Sequence, residues 1–214
     1  MNNIHINYVS PNFLSDANVS HSEIWHREVC FRKEEYHLIS ATSGAGKSSL
    51  LSYLFGERKD YAGEISYDEN KIVSLKSWEW SDVRKSGISF VFQGLRLFSE
   101  LTAFENISLK NRLTNHKTDD EIMYMLESAG LAEKRNEKAA RLSFGQQQRI
   151  AIIRALCQPF DFLLMDEPFS HLDDANIEKM SNLVTQELKS RNAGLLLCSL
   201  GDEYSFVYHR KWKL

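Results

Sequence analysis

The sequence predicts an α/β fold built on a mostly parallel, covered sheet. Three observations predict it. Apolar runs of strand length, residues 162–165 and 195–198, alternate with helical stretches. A strand-like segment, residues 35–41, passes through a glycine-bearing loop straight into a helix. The order along the chain is strand, loop, helix, a small β insertion, a helical insertion, then strand, helix, strand.

Residues 35–41 (EYHLISA) alternate and then turn apolar, as a strand running into a covered sheet does. Residues 41–46 are small and make a loop. Residues 47–55 carry Leu50, Leu51 and Leu54 at helical spacing, and Gly56 is a natural stop. Residues 63–67 and 71–74 flank Asp68-Glu69-Asn70, which reads as a hairpin. Residues 88–92 (ISFVF) form another strand. From about residue 95 to 140 the pattern is helical. There Thr118-Asp119-Asp120-Glu121 has the spacing of a capping box, with Ile122, Leu126 and Ala129 on one face behind it. Residues 146–156 continue helical and stop before Pro159. Residues 175–191 set Ile177, Met180, Val184 and Leu188 on one stripe.

The chain has 214 residues, enough for one domain with a subdomain and a core that needs neither disulfides nor a structural metal. Hydrophobic residues are 43% and charged residues 26%, ordinary for a globular protein. Lys and Arg number 26 against 29 Asp and Glu, a net charge of −3 that leaves no electrostatic footprint for nucleic acid. Cys30, Cys157 and Cys198 are odd in number and widely spaced, which argues against a disulfide framework or zinc site and for a reducing compartment. No run approaches the length of a membrane span, and the N-terminus lacks the basic and apolar regions of a secretory signal. The expectation is a cytoplasmic protein whose membrane role, if any, needs a partner.

The first chemical signal is Ala41-Thr42-Ser43-Gly44-Ala45-Gly46-Lys47-Ser48, between a predicted strand and a predicted helix. Phosphate oxygens need several backbone N–H groups converging on one point. Small residues let the backbone approach, and the helix start adds positive partial charge. Lys47 supplies a point charge to the outer phosphates and Ser48 a hydroxyl for Mg²⁺. The plain alternative is a Gly/Ser turn that caps a helix. Ala41 stands where the G-x-x-x-x-G-K-[ST] pattern has its first glycine, a mild departure if its φ is negative.

The second signal is Phe162-Leu163-Leu164-Met165-Asp166-Glu167-Pro168. A buried strand ending in two carboxylates puts charge at the carboxyl edge of the sheet, where ligands of open α/β sheets bind. Asp166 is a candidate Mg²⁺ ligand through water, and Glu167 a candidate general base for an attacking water. Taken alone, such a segment is as readily a strand end with a turn.

Between these lies Leu142-Ser143-Phe144-Gly145-Gln146-Gln147-Gln148-Arg149, about 95 residues after the phosphate loop and about 20 before the acidic strand end. With these ordered motifs the chain resembles the ATP-binding cassette (ABC) family, whose signature reads L-S-G-G-Q. The resemblance spans roughly residues 34–200. It implies a P-loop NTPase fold with a mostly parallel core sheet, an antiparallel β subdomain and a helical signature subdomain. It also implies that residues 1–214 are a single nucleotide-binding domain, with the helical subdomain at about 95–158 inserted in the core. The implied ligands are ATP and Mg²⁺. The phosphates would be held by Ala41, Thr42, Ser43, Gly44, Ala45, Gly46, Lys47, Ser48 and Ser49. The metal would be held by Ser48, Gln93 and Asp166. Glu167 and Gln93 would be catalytic. Ser143, Gly145, Gln146 and, in the D-loop Ser170-His171-Leu172-Asp173, Asp173 would complete the site of a second subunit. In the family two such domains stack head-to-tail, and a permease docks near the Q-loop glutamine. The implied partners are therefore a second ABC subunit, in a homodimer or a heterodimer, and a membrane permease. Residues 75–80, Val83-Arg84, 87–93 and 97–107 are similar to the lipoprotein-release, macrolide-export and cell-division ATPases.

Two further departures bear on activity. Phe144 stands at the first signature glycine, where a ring would crowd the γ-phosphate unless it turns outward. The family's switch histidine falls about 33 residues after the glutamate, which here is Leu200. Losing one hydrogen bond to a charged group, about 1.5–3 kcal/mol, would slow turnover about 10- to 150-fold. His171 and His209 are poorly positioned to replace it. Phe13 and Trp25 are the two candidates for stacking on adenine. The basic aromatic tail, residues 208–213, reads as a solvated edge, a final strand or a partner contact. Trp78 and Trp80 would cover the insertion or face a partner.

The function expected is the ATPase subunit of an ABC transporter, cytoplasmic and peripheral to the membrane through its permease. The alternative is a regulatory or assembly subunit that binds ATP and dimerises but hydrolyses little. A soluble ABC ATPase of DNA repair or translation ranks last, because the chain carries neither a long coiled coil nor a second cassette.

Overall fold

The computed structural model describes residues 1–14, 21–42 and 44–214. Among the described residues, nine strands make two sheets. The first is antiparallel, in the order β2 (Glu28–Arg32), β1 (Asn3–Pro11), β4 (Tyr61–Tyr67), β5 (Asn70–Lys71). The second is wholly parallel, in the order β6 (Ile88–Val91), β7 (Phe162–Asp166), β8 (Gly194–Ser199), β3 (Tyr36–Ser40), β9 (Arg210–Lys213). The helices are α1 (Lys47–Leu54), α2 (Ser77–Asp82), α3 (Ala103–Asn111), α4 (Asp119–Ser128), α5 (Phe144–Leu156) and α6 (Asp174–Arg191).

β7 and β8 are buried at every position, as expected for parallel strands covered on both faces. Alternate residues of β7 go to different cores. Leu163 and Met165 join a cluster with α3 to α6, whereas Phe162 and Leu164 join one with α1 and the antiparallel sheet. The parallel sheet is thus the middle layer.

Several expectations are refined. Only Asn70 and Lys71 of the second hairpin arm pair with β4; residues 72–74 curl into a 3₁₀ turn. The segment before α3 is not helical: Leu95 and Arg96 take left-handed φ of 54° and 51°. Buried Asn106 pins that segment, donating to the carbonyls of Phe98 and Thr102 (3.0 Å each) and accepting from the Phe98 N–H (2.8 Å). The C-terminal tail is the edge strand β9, with Trp212 buried. Trp80 is buried over Gly56 while Trp78 is exposed.

β1 and β2 carry no strong sequence signal. In β1 the alternation of Ile4 and Ile6 breaks at Tyr8, which takes φ 51°, and the pairing with β4 shifts register between Asn7 and Ser10. Such a bulge hides the period of two. Gly63 on β4 is required there, because a Cβ would run into the Tyr8 carbonyl.

His37 lies buried in β3. Its Nδ1 accepts from the Trp212 indole at 3.2 Å and its Nε2 is 3.3 Å from Glu35. Burial drives its pKa down from 6.5 to about 4 against the opposing pull of Glu35. The unfolded chain therefore takes up the proton first as the pH falls. Stability contributed by neutral His37 is complete above about pH 6.5 and is lost toward pH 4, at no more than about 1.4 kcal/mol per pH unit. Urea unfolding across this range should show that slope in the wild type, and His37→Gln should flatten it.

Candidate functional site

β3 delivers the chain to the sheet's carboxyl edge, where the Ala41 N–H donates to the Ser199 carbonyl at 3.4 Å. The loop then turns through Gly44 (φ 84°) and Gly46 (φ 95°) into α1. These left-handed conformations favour glycine. Ala41 stays outside the left-handed region, so its methyl group is tolerated. Ser43 lies outside the described residues.

Trp25 forms the floor of this loop. Its indole N–H donates to the Ala45 carbonyl at 3.2 Å, and its ring would sit 3.1 Å from a Cβ on Gly46. It is a buried core residue and is not open to a ligand. Phe13, the other aromatic considered for adenine, is 53% exposed at the cleft. The Arg58 guanidinium lies 5.2 Å from its ring centroid and donates to Ser49 Oγ at 2.7 Å. Arg58 gave no motif signal in the sequence; only the fold brings it to the cleft.

α1 begins at Lys47, whose ammonium is 6% exposed. It donates to the carbonyls of Ala41 (2.9 Å) and Thr42 (3.3 Å) and lies 3.5 Å from Glu167 Oε1. β7 ends beside it at Asp166. Burial holds the Asp166 carboxyl above its ordinary pKa and the neighbouring Glu167 charge pushes the same way, while a Ser48 hydrogen bond and Lys47 pull it back. Asp166 Oδ1 is buried with no hydrogen-bond partner. Glu167 itself sits at φ 48°, strained for a non-glycine residue, with its N–H donating to the Cys198 carbonyl at 3.0 Å. Gln93 and Ser48 are exposed on the same cleft, and buried Ser49 also lines it.

Ser143 caps α5: its Oγ accepts from the Gln146 N–H at 3.3 Å, and the Gln146 side chain accepts from the Ser143 N–H at 3.0 Å. The Phe144 ring turns back onto the chain's own His171, edge to face with centroids 4.4 Å apart. A Cβ on Gly145 would come within 2.8 Å of the His171 carbonyl, so close packing against the D-loop requires glycine there. Arg149 ties the same helix to the Ala129 carbonyl and to Asn176, both at 2.7 Å, and Asn176 in turn binds Asp173. Among the described residues that line the phosphate-loop cleft, none is Ser143, Gly145, Gln146 or Asp173.

Leu200 is 58% exposed after β8. His209 is tied to the opposite end of β3, exchanging hydrogen bonds with the Tyr36 backbone at 2.8 and 2.9 Å. A strand of this length separates it from the loop by roughly 13 Å. His171 is engaged by Ser170 and Phe144.

A model of the ABC transporter family matches residues 26–170. The chain belongs to the ABC transporter family. Among its ABC relatives, an uncharacterized ABC transporter ATP-binding protein of Mycobacterium tuberculosis is 34% identical over 156 residues, 70% of this chain and 46% of that protein. The chain thus spans about half the length of that relative. The lipoprotein-releasing system ATP-binding protein LolD of Treponema denticola is 34% identical over 189 residues, 86% of this chain and 84% of LolD. Among solved structures, the dimeric ABC transporter cassette MJ0796 superposes with a TM-score of 0.78 at 28% identity, covering 92% of this chain and 88% of that one. The same cassette has been seen as a dimer in a post-hydrolysis state with ADP and Pi. The ABC cassette fold agrees with the layers described above: a parallel core sheet, an antiparallel sheet and a helical part that carries Ser143.

Replacing Gly145 tests the contact between signature and D-loop within one chain. Gly145→Ala should lower stability by about 1–3 kcal/mol through overpacking, read as a lower urea midpoint at unchanged m-value.

Proposed function

We propose that the chain is the ATP-binding and ATP-hydrolysing subunit of an ABC transporter, working as a head-to-tail dimer that drives a separate membrane permease. One observation carries this reading. Lys47, Ser48, Glu167 and Gln93 line one cleft at the sheet's carboxyl edge with Asp166 buried beside them, while Ser143, Gly145 and Gln146 of the same chain do not line it. A cleft supplied from one side and a signature without a nucleotide of its own are complementary halves.

Mg²⁺ fits the residues present. The unpartnered buried Asp166 Oδ1 and the Ser48 hydroxyl are hard oxygen donors, and Mg²⁺ usually takes one or two carboxylates plus phosphates and waters. When bound, it would neutralise charge on the outer phosphates. Loop N–H groups and Lys47 bind and orient the phosphates. Phe13, backed by Arg58, offers a face to the adenine ring. Glu167 accepts the proton of the attacking water as the bond from γ-phosphorus to the bridging oxygen breaks. From the partner's side, the start of α5 would meet the γ-phosphate with Ser143 and Gly145, beside a Phe144 ring that packs on His171.

A groove beside Gln93, lined by Phe92, Phe98, Leu109 and Leu113, is the candidate dock for the permease; Phe98 and Leu113 are more than half exposed. Among the described residues no helix is long and apolar enough to cross a membrane.

Leu200 favours a second reading, a regulatory subunit that binds ATP and dimerises but hydrolyses little. Single-turnover hydrolysis beside Lys47→Ala and Glu167→Gln separates the two. The ATPase reading expects hydrolysis that both substitutions abolish, with Glu167→Gln accumulating an ATP-bound dimer by light scattering. ATP-dependent dimers with no hydrolysis above the variants, alone and with a permease, would instead establish the regulatory subunit.

A further inference from the structure

We propose that Gln148 is a positioning residue for Glu167: from the signature helix its side chain holds the strained backbone that aims the candidate general base. The inference rests on the ATPase reading above.

Gln148 is 2% exposed in α5, and a buried amide must find partners for its donors and acceptor. The partners it finds all lie in one short segment. Its Nε2 donates to the Glu167 carbonyl at 3.2 Å and to Ser170 Oγ at 3.4 Å. Its Oε1 accepts from the His171 N–H at 3.3 Å. The side chain therefore grips both ends of the turn that follows β7.

That turn needs a grip. Glu167 takes φ 48°, a conformation that persists only where the surroundings over-determine it. Pro168 follows it, and a residue before proline is further biased toward extended backbone. Three hydrogen bonds oppose this tendency. Cys198 of β8 accepts the Glu167 N–H at 3.0 Å, and the Glu167 carbonyl accepts from Gln148 Nε2 at 3.2 Å and, more weakly, from the Ser170 N–H of its own turn at 3.5 Å. The first comes from the sheet, which is rigid. The second comes from the helix that begins with Ser143, so any ligand that draws on that helix start also bears on Glu167. With the backbone released, the carboxylate leaves its position 3.5 Å from Lys47.

The test uses the full chain with Gln148→Leu and Gln148→Glu. Gln148→Leu should keep the affinity for a fluorescent ATP analogue within about threefold and lose at least about tenfold in single-turnover hydrolysis. Gln148→Glu should be as slow at pH 8, where a carboxylate faces the Glu167 carbonyl. Its deficit against wild type should narrow toward pH 6, as protonation restores a donor. A loss confined to packing would give no such recovery. Both variants hydrolysing within about threefold of wild type, or affinity and rate falling together, would overturn the proposal.

If the wild type hydrolyses no faster than Glu167→Gln, the ATPase reading itself fails. Amide exchange then decides the positioning claim. Residues 167–171 should exchange at least about tenfold faster in Gln148→Leu while β7 stays protected, and unchanged exchange there would overturn it.

Discussion

Three charges at the end of the parallel sheet, two buried and one half-buried, govern this structure. Lys47, Asp166 and Glu167 lie within a few ångströms, and the ammonium and the aspartate are almost wholly removed from water. Charges in such a place are costly unless compensated. Lys47 leans on two loop carbonyls and on Glu167; one oxygen of Asp166 has no partner. The cluster is thus incompletely satisfied by the chain itself.

The rest of the fold serves that cluster. Parallel pairing of β3 with β8, and β8 with β7, brings the phosphate loop and the acidic strand end to one edge. Trp25 stiffens the loop from below. The antiparallel sheet and the helical part cover the two faces, so that both central strands are buried throughout. The signature helix is bound to the D-loop of its own chain by Phe144, Gly145, Gln148 and Arg149 together. It follows that the start of α5 and the turn that holds Glu167 are parts of one packed unit. Phe144, a poor fit to the signature on sequence grounds, serves as a wedge within this unit.

The parallel strands, α1 and the capped helices were legible because their signals are local: continuous apolar runs, Gly and Lys at a strand–helix junction, and Ser or Thr three residues before Gln or Glu. β1 was not, because a bulge at Tyr8 interrupts its alternation. In the site, Lys47, Ser48, Asp166 and Glu167 could be read from motif chemistry. Arg58 could not, because it reaches the cleft from beyond α1 through contacts with Ser49 and Phe13. The choice between Phe13 and Trp25 needed the fold, since burial alone separates two aromatic side chains of similar chemistry. Gln148 lay inside a visible run of three glutamines, but nothing in the run tells which of the three turns inward.

The central claim is that the charge cluster is completed by Mg²⁺ and a nucleotide triphosphate. Calorimetric titration of ATP into the chain, with Mg²⁺ and with a chelator, tests it most directly. The account predicts one site per chain, tightened by Mg²⁺ in the wild type, with the Mg²⁺ dependence lost in Asp166→Asn. Equal affinity with and without Mg²⁺, or an unchanged dependence in Asp166→Asn, would contradict it.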